Sequence, residues 1–497
     1  MPRLATAAAL TAAVLATAGP AATSLAAATA ATAPASASAA PASSAHLTDA
    51  GVRVGVQSPS ARDVCPDTAL ILTVPGTTPA VGGTGTVTVT DTATGEVADR
   101  VDLADPASYQ RTIGGAVNAD GTAHEFSYHP VTVDGDTAAI HLHRTLAEGH
   151  RYRVTVGPGV VTALTAPVSW SFRVRSRLPV GRTLTVDAAG HADYCTVQGA
   201  IDAVPAGTAV PHTIRVRPGT YTELDWVPAG KPHLTVEGTG RDPGATVLEY
   251  DNNNTFNSAH AVGICPRQRI PGHDDNNCWR GSFNVEADDF RLHDLTLHNT
   301  TAYGGSQAEA FRGNADRIVL DRVRLLSYQD TLRLQGRGFV TDSYIEGDVD
   351  FTWGVGSALI QDSELRSLHA GYVTQVRNDA THPGYVFLRD RLTAADTVPA
   401  GSVYLGRIDP TVYPYSQVLF IDTAMGPHIA PAGWKLDHAD CSQASDLRFL
   451  EYGSTDLDGA PLDTAARLSC SGRLTSGQAA LWSDPRTVLS GWDPERR

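Results

Sequence analysis

The sequence predicts an all-β protein in two parts, a small β-sandwich followed by a longer parallel β-helix, and three observations carry that expectation. The apolar anchors Leu320, Val340 and Ile360 stand twenty residues apart, each in a short strand closed by a polar break. A fixed period of about 20 to 30 residues marks a stacked solenoid in which each period is one coil. Ahead of it, from Gly51 to Val174, the runs ALILTVPG, TGTVTVTDTATGEV, AAIHLHRTL, HRYRVTV and VSWSFRVR alternate in β fashion between turn residues, as a sandwich requires. Finally, Asp330 and Asp350 each follow an anchor by ten residues. Coil on coil, that offset stacks the two carboxylates at the ~4.7–4.9 Å spacing of neighbouring strands.

Taken in order, the chain opens on MPRLATAAALTAAVLATAGP, one positive charge at Arg3 and then a short Ala/Leu/Val run before small residues. This has the pattern of a secretory signal peptide, and residues 1–44 are expected to be signal and Ala/Ser/Pro-rich low complexity. No later stretch reaches eighteen uninterrupted apolar residues, so no transmembrane helix is expected. The expected product is a secreted, extracellular monomer, and six cysteines fit that compartment. Cys265 and Cys278 bracket a polar loop and Cys441 and Cys470 lie close together, so these are the expected bridges. Cys65 and Cys195 either pair across the two parts or stay free.

The sandwich is assigned to residues 45–176 and the solenoid to 183–497, with SRLPVGR between them. No cluster of acids, histidines or cysteines in the first part suggests chemistry, and a spacer or attachment role is expected of it. After the linker, Val197, Ile201 and Val204 lie at helical spacing, ended by Pro205 and Gly207. Such a short helix can cap a solenoid, whose first coil otherwise exposes strand edges. The anchors Leu292, Leu320, Val340, Ile360, Leu388 and Phe420 then give steps of 28, 20, 20, 28 and 32 residues. The regular steps surround the acid pair, and the longer ones carry loops that can wall a cleft. His369, His382 and His428 have no partner spacing for metal or triad work and read as solvated.

A net charge of −15 argues against nucleic acid, whose phosphates call for a basic surface. It also repels an ionised polyuronate more than a neutral, esterified one. Two carboxylates at strand spacing cannot easily both ionise, so one keeps its proton while the other stays anionic. That separates an acid from a nucleophile or base.

The segments QAEAFR (Gln307 to Arg312), YQDTL (Tyr328 to Leu332), YIEGDVDFTWG (Tyr344 to Gly354) and YLGR (Tyr404 to Arg407) resemble the four signature segments of the pectin methylesterases, in the same order. The likeness runs from about Thr183 to GWDP at Gly491 to Pro494. It implies a right-handed parallel β-helix of the pectin-lyase-like kind, acting on methyl-esterified pectin without metal or cofactor. It further implies Asp350 as nucleophile, Asp330 as acid and base, Arg407 as the group that keeps Asp350 ionised and oriented, and Gln307 and Gln329 as donors around the oxyanion. Trp353, in an aromatic position of the signature, is expected either to stack on a sugar or to sit in the core. The first part resembles the bacterial immunoglobulin-like modules appended to secreted enzymes.

Two departures bear on substrate preference. After YLGR the family continues Pro-Trp, whereas Ile408 and Asp409 follow here, and Val376 stands in TQVR where glycine is common. Carboxylates about 5–5.5 Å apart also suit a retaining glycosidase, but the G-H-G and R-I-K segments of the polygalacturonases are absent. A lyase calls for a calcium-binding acid cluster and a basic abstracting residue, and neither is evident. The same fold also accommodates a non-catalytic carbohydrate-binding protein, or an esterase or thioesterase acting on a non-pectic substrate.

Overall fold

The computed structural model describes residues 46–48, 51–177, 181–257 and 278–495. The expected signal segment, residues 1–44, lies outside them, as does Cys265 of the expected Cys265–Cys278 bridge. Cys278 itself is not free. The described residues form one compact unit.

Two antiparallel sheets make the N-terminal part. One orders its strands His46–Leu47, Arg53–Val56, Leu70–Thr73, Thr137–Ile140 and Val131–Asp134; the other orders Val168–Arg173, Arg151–Val156, Thr86–Asp91 and Val97–Asp102. Period-two patterning decides which face turns inward. In TVTVTD the valines Val87 and Val89 are buried, and in RYRVTV Tyr152, Val154 and Val156 are buried while the arginines face out. Both sheets contribute to one apolar core. A separate hairpin, Gln110–Val117 with Ala123–Ser127, packs instead on the solenoid, where Ile113 and Phe126 join Leu224, Trp226, Tyr250 and Trp279. Gly114 permits this approach: it takes φ +57°, and a Cβ there would lie 2.3 Å from the Trp226 carbonyl oxygen.

The junction is tied further by a Cys65–Cys195 disulfide, Cα to Cα 5.9 Å. Beside it the Asp67 carboxylate accepts from the backbone amides of Cys195 and Thr196, and from the Thr196 hydroxyl at 2.6 Å. Thr196 is the N-cap of the helix Val197–Ala203, accepting from the Gly199 amide at 3.0 Å. Glu223 accepts from the next two orphaned amides, of Val197 and Gln198, at 2.8 and 3.0 Å. The helix buries Val197, Ala200 and Ile201 against the first coils and so closes the end of the solenoid core.

The solenoid's strands all pair in parallel. Eleven of them form one sheet in strict chain order, from Thr183–Val186 to Gly472–Arg473. The other faces merge into a 15-stranded sheet because Tyr344–Gly354 and Glu364–Val376 run unbroken across a bend. Inward residues stack in columns: Leu292, Leu320, Val340, Ile360, Phe387 and Phe420 stand over one another, the last two rings stacked with centroids 4.4 Å apart and planes nearly parallel.

Leu388 is therefore not the anchor of its coil. All four residues of Tyr385–Leu388 are buried, so alternation gives no cue there. The column residue is Phe387, which makes the last two steps 27 and 33 residues. A one-residue slip reverses the face, and Leu388 packs outward with Val319, Phe339 and Leu359 beneath residues of the C-terminal helices Ser476–Trp482 and Pro485–Val488. Cys441 and Cys470 are joined by a disulfide, Cα to Cα 5.4 Å.

At one corner the chain takes a left-handed residue in six successive coils, at Asp294, Arg322, Asp342, Asp362, Arg389 and Asp422. Short carboxylate side chains tolerate that conformation better than most. Forked ion pairs link the corner along the stack, Arg322 to Asp294 and Arg389 to Asp362.

Asp67→Ala leaves three donors at the junction without their acceptor. Urea unfolding of the full chain is expected to show a loss of about 1–3 kcal/mol, the cost of unsatisfied buried donors, and an unchanged midpoint and slope would contradict it.

Candidate active site

The bend that fuses the two faces is also where the acids gather. Pairing between Tyr344–Gly354 and Glu364–Val376 slips twice, once on either side of Val349. Irregularities of this kind re-aim side chains. Asp330 and Asp350 both sit in left-handed backbone, φ 71° and 50°. Leu332 pairs with Thr352, so two residues earlier Asp330 stands against Asp350, and the Asp330 amide donates to the Val349 carbonyl at 3.0 Å. One coil before, Phe311 pairs with Leu332, which sets Glu309 against Asp330. Three carboxyl groups thus share one offset on three successive coils.

Each aspartate has its own arginine. Arg407 grips Asp350 with Nε 2.9 Å from Oδ1 and a terminal nitrogen 2.6 Å from Oδ2. Its hydrogen bond to Asp350 pushes the Arg407 guanidinium further toward the protonated form. Arg407 lies over the Tyr372 ring at 4.5 Å, and Lys435 donates to the Tyr372 hydroxyl at 2.7 Å. Arg280 holds the other acid: its Nε donates to Glu309 at 2.8 Å and a terminal nitrogen to Asp330 Oδ2 at 2.5 Å. All three of these groups are buried.

Burial pushes the Asp330 carboxyl up to about 8; Arg280 opposes that rise, Glu309 and Asp350 add to it, and Arg377 opposes it. One guanidinium faces two carboxyl groups here, so its charge does not cancel both. The net effect on Asp330 is upward, toward the protonated form.

The structure brings Asp330, Asp350 and Arg407 together directly. Gln307 is half-buried, and its carbonyl oxygen accepts from the Ser306 hydroxyl at 3.2 Å, which leaves the amide N–H₂ to donate. Gln329 is half-buried in the wall of a hollow beside the acids, lined also by Tyr303, Tyr328, Asp348 and Val349. Trp353 is only 3 % exposed and is faced by the guanidiniums of Arg280, Arg333 and Arg377 at 4.7–5.2 Å. It is a core residue beneath the site, the second of the two placements expected for it.

Several residues at the site carried no signal in the sequence. Arg280 lies fifty residues from Asp330 in a segment with no repeat, and Glu309, although within QAEAFR, was assigned no role. His369 is not simply solvated: it stacks on Tyr303 at 3.7 Å with Nδ1 3.5 Å from Asp348. His428, also read as solvated, is buried, and burial lowers it to about 4. His382 does lie near the surface, paired with Asp379 at 2.8 Å. Among the described residues the one group with metal-ligand spacing is Cys65, Asp67 and Cys195, whose sulfurs are joined in a disulfide.

Comparison with known proteins follows the same ground. The Pectinesterase family model matches residues 268–483. Pectinesterase 31 of Arabidopsis thaliana is 36% identical over 256 residues, 51% of this chain and 76% of that protein. A pectinesterase of Ralstonia nicotianae is 29% identical over 310 residues, 54% of this chain and 78% of its own length. Among solved structures, the pectin methylesterase from carrot superposes with a TM-score of 0.53 at 26% identity, over 63% of this chain and 95% of the carrot chain. A pectin methylesterase solved in complex with a hexasaccharide gives 0.51 at 25%, over 63% and 98%.

Proposed function

The chain belongs to the pectinesterase family and is a carboxylic ester hydrolase, and on that premise we propose that it is a secreted enzyme that demethylates homogalacturonan through an acyl-enzyme on Asp350. The single observation that carries this reading is the unequal setting of two stacked, buried aspartates, one held by two nitrogens of Arg407 and the other sharing Arg280 with Glu309. The antiparallel sandwich of residues 45–176 supports its assignment to the immunoglobulin-like modules, and the strand pattern supports a boundary between 176 and 183.

The chemistry follows from the protonation states. An oxygen of Asp350 attacks the methyl ester carbonyl, and the amide groups of Gln307 and Gln329 stabilise the developing oxyanion. Asp330 gives its proton to the departing methoxide, releasing methanol and leaving an anhydride between Asp350 and the uronate. Asp330, now a carboxylate, takes a proton from water; the hydroxide adds to the acyl carbon, Asp350 departs, and Asp330 regains its proton.

The altered sugar cleft, with Trp353 buried and Ile408 and Asp409 after YLGR, favours as second reading an ester substrate other than pectin. The deciding experiment incubates the full chain with highly methylated pectin and follows methanol, new reducing ends and unsaturated ends. Methanol alone is expected, and chain cleavage would overturn the assignment. The absence of all three products would leave the second reading in its place.

Asp350→Asn is expected to lower kcat by at least about 10³, as for loss of a nucleophile, with the circular dichroism unchanged. Gln329→Ala should cost about 10²–10³ in kcat, the loss of one oxyanion donor. For the pH profile the sign is set by the proton on Asp330. Its raised value keeps the donor charged with a proton below about 8, so kcat should fall as pH rises through that value. A rate that keeps climbing past it would contradict the role of Asp330.

A further inference from the structure

The N-terminal part makes a connection to the acid stack that a spacer does not need. The hairpin Gln110–Val117 with Ala123–Ser127 lies on the solenoid, and its His124 ring stacks face to face on Trp279, centroids 3.7 Å apart and planes 6° apart. Phe126 meets the same indole edge-on at 5.6 Å. Trp279 is buried and immediately precedes Arg280.

A second route reaches the same backbone through hydrogen bonds. The Ser127 amide donates to the Asn257 side-chain oxygen at 2.7 Å, and the Asn257 nitrogen donates to the Ser127 carbonyl at 3.0 Å and to the Asn252 side-chain oxygen at 2.8 Å. Asn252 in turn donates to the carbonyls of Trp279 and Gly281, both at 2.8 Å. The hairpin therefore bears on the residues either side of Arg280, by ring stacking on Trp279 and by an asparagine relay to the carbonyls of Trp279 and Gly281.

We propose that the N-terminal module is a positioning element of the esterase site: His124 and the Asn257–Asn252 relay hold Arg280, and Arg280 sets the orientation and proton affinity of Asp330. The proposal rests on the reading of Asp330 as proton donor. With Arg280 donating to Oδ2, the proton of the neutral carboxyl group belongs on Oδ1, so the fork selects which oxygen serves as donor. Glu309 occupies the Nε side of the same guanidinium and limits how far Arg280 draws Asp330 toward ionisation. The charged groups acting on Asp330 are Arg280, Glu309, Asp350 and Arg377. His124 is lowered to about 4 by burial, so its ring is neutral under working conditions and acts by contact rather than by charge.

The test uses the full chain with two readouts, kcat and KM for methanol release against pH, and the titration of the Asp330 carboxyl by 13C NMR. The Asp330 signal is identified by its loss in Asp330→Asn. In His124→Ala, loosening Arg280 is expected to move the Asp330 midpoint upward and to lower kcat about tenfold, short of the ~10²-fold that a 1 Å misplacement brings. KM should stay within about twofold, because the sugar cleft is untouched. His124→Phe, which keeps a ring against Trp279, should restore both readouts, and Asn257→Ala should repeat the effect through the second route. Glu309→Gln should move the midpoint downward, the opposite sign, because it releases Arg280 to act on Asp330 alone. His129→Ala, which breaks the contact to Asp251 at the same junction without touching Trp279, should leave kcat and the midpoint at wild-type values.

A folded His124→Ala with wild-type kcat and midpoint overturns the proposal, as does an equal loss in His129→Ala, which would reduce the junction to a general support. A midpoint that responds to His124 in a protein that releases no methanol would sustain the linkage and count against the esterase reading instead.

Discussion

Three carboxyl groups, of Glu309, Asp330 and Asp350, occupy the same offset on three successive coils, and the register of parallel strands dictates that placement. In a parallel ladder every backbone amide and carbonyl is satisfied by the coil above or below. A coil cannot slide to relieve a repulsion between side chains without breaking a run of those bonds and turning its apolar residues outward. The inward columns, from Leu292 to Phe420, make such a slip expensive along the whole solenoid. Charge repulsion among the acids must be met by other means, and in this protein the means are protonation and arginine.

The two arginines act differently because their surroundings differ. Arg407 lies partly open beside Tyr372 and Lys435, gives Nε and one terminal nitrogen to Asp350, and has its other terminal nitrogen 3.5 Å from Asp437. Arg280 is buried and gives Nε to Glu309 and one terminal nitrogen to Asp330, whereas Asp350 receives two nitrogens of Arg407. Both aspartates are buried, so the difference lies in their partners: a carboxylate in a low-dielectric site is costly, and at Asp330 that cost outweighs the share of Arg280 and pushes the carboxyl upward. The same fold therefore places, one strand spacing apart, two carboxyl groups of one residue type in different surroundings, the asymmetry on which the proposed division into nucleophile and acid rests.

The N-terminal part is tied to this arrangement by contacts too specific for a passive spacer. A disulfide, a capping carboxylate and an aromatic cluster join it to the first coils, and its hairpin ends on the residues that flank Arg280. Buried polar relays such as Ser127–Asn257–Asn252 tolerate little displacement, since a shift of one member leaves the others unsatisfied in a dry environment. Such a relay carries position from one domain to another without needing a large interface around it.

The sequence by itself determined the period of the solenoid, the alternation of the sandwich strands, the cap helix at Val197, Ile201 and Val204, and the equal offset of Asp330 and Asp350. All of these are spacings along one chain, and a repeated coil converts spacing into position directly. Where alternation vanishes the conversion fails, as in the fully buried Tyr385–Leu388, where only the packed structure shows that Phe387 and not Leu388 points into the core. Tertiary structure alone decided the partners. Arg280 meets Asp330 across 50 residues, and Ser127 meets Asn257 across 130. Neither distance belongs to a period, so no local pattern encodes it. The burial of Trp353 beneath three guanidiniums and the upward shift of the Asp330 carboxyl were decided in the same way, because both depend on how much water the surrounding coils exclude.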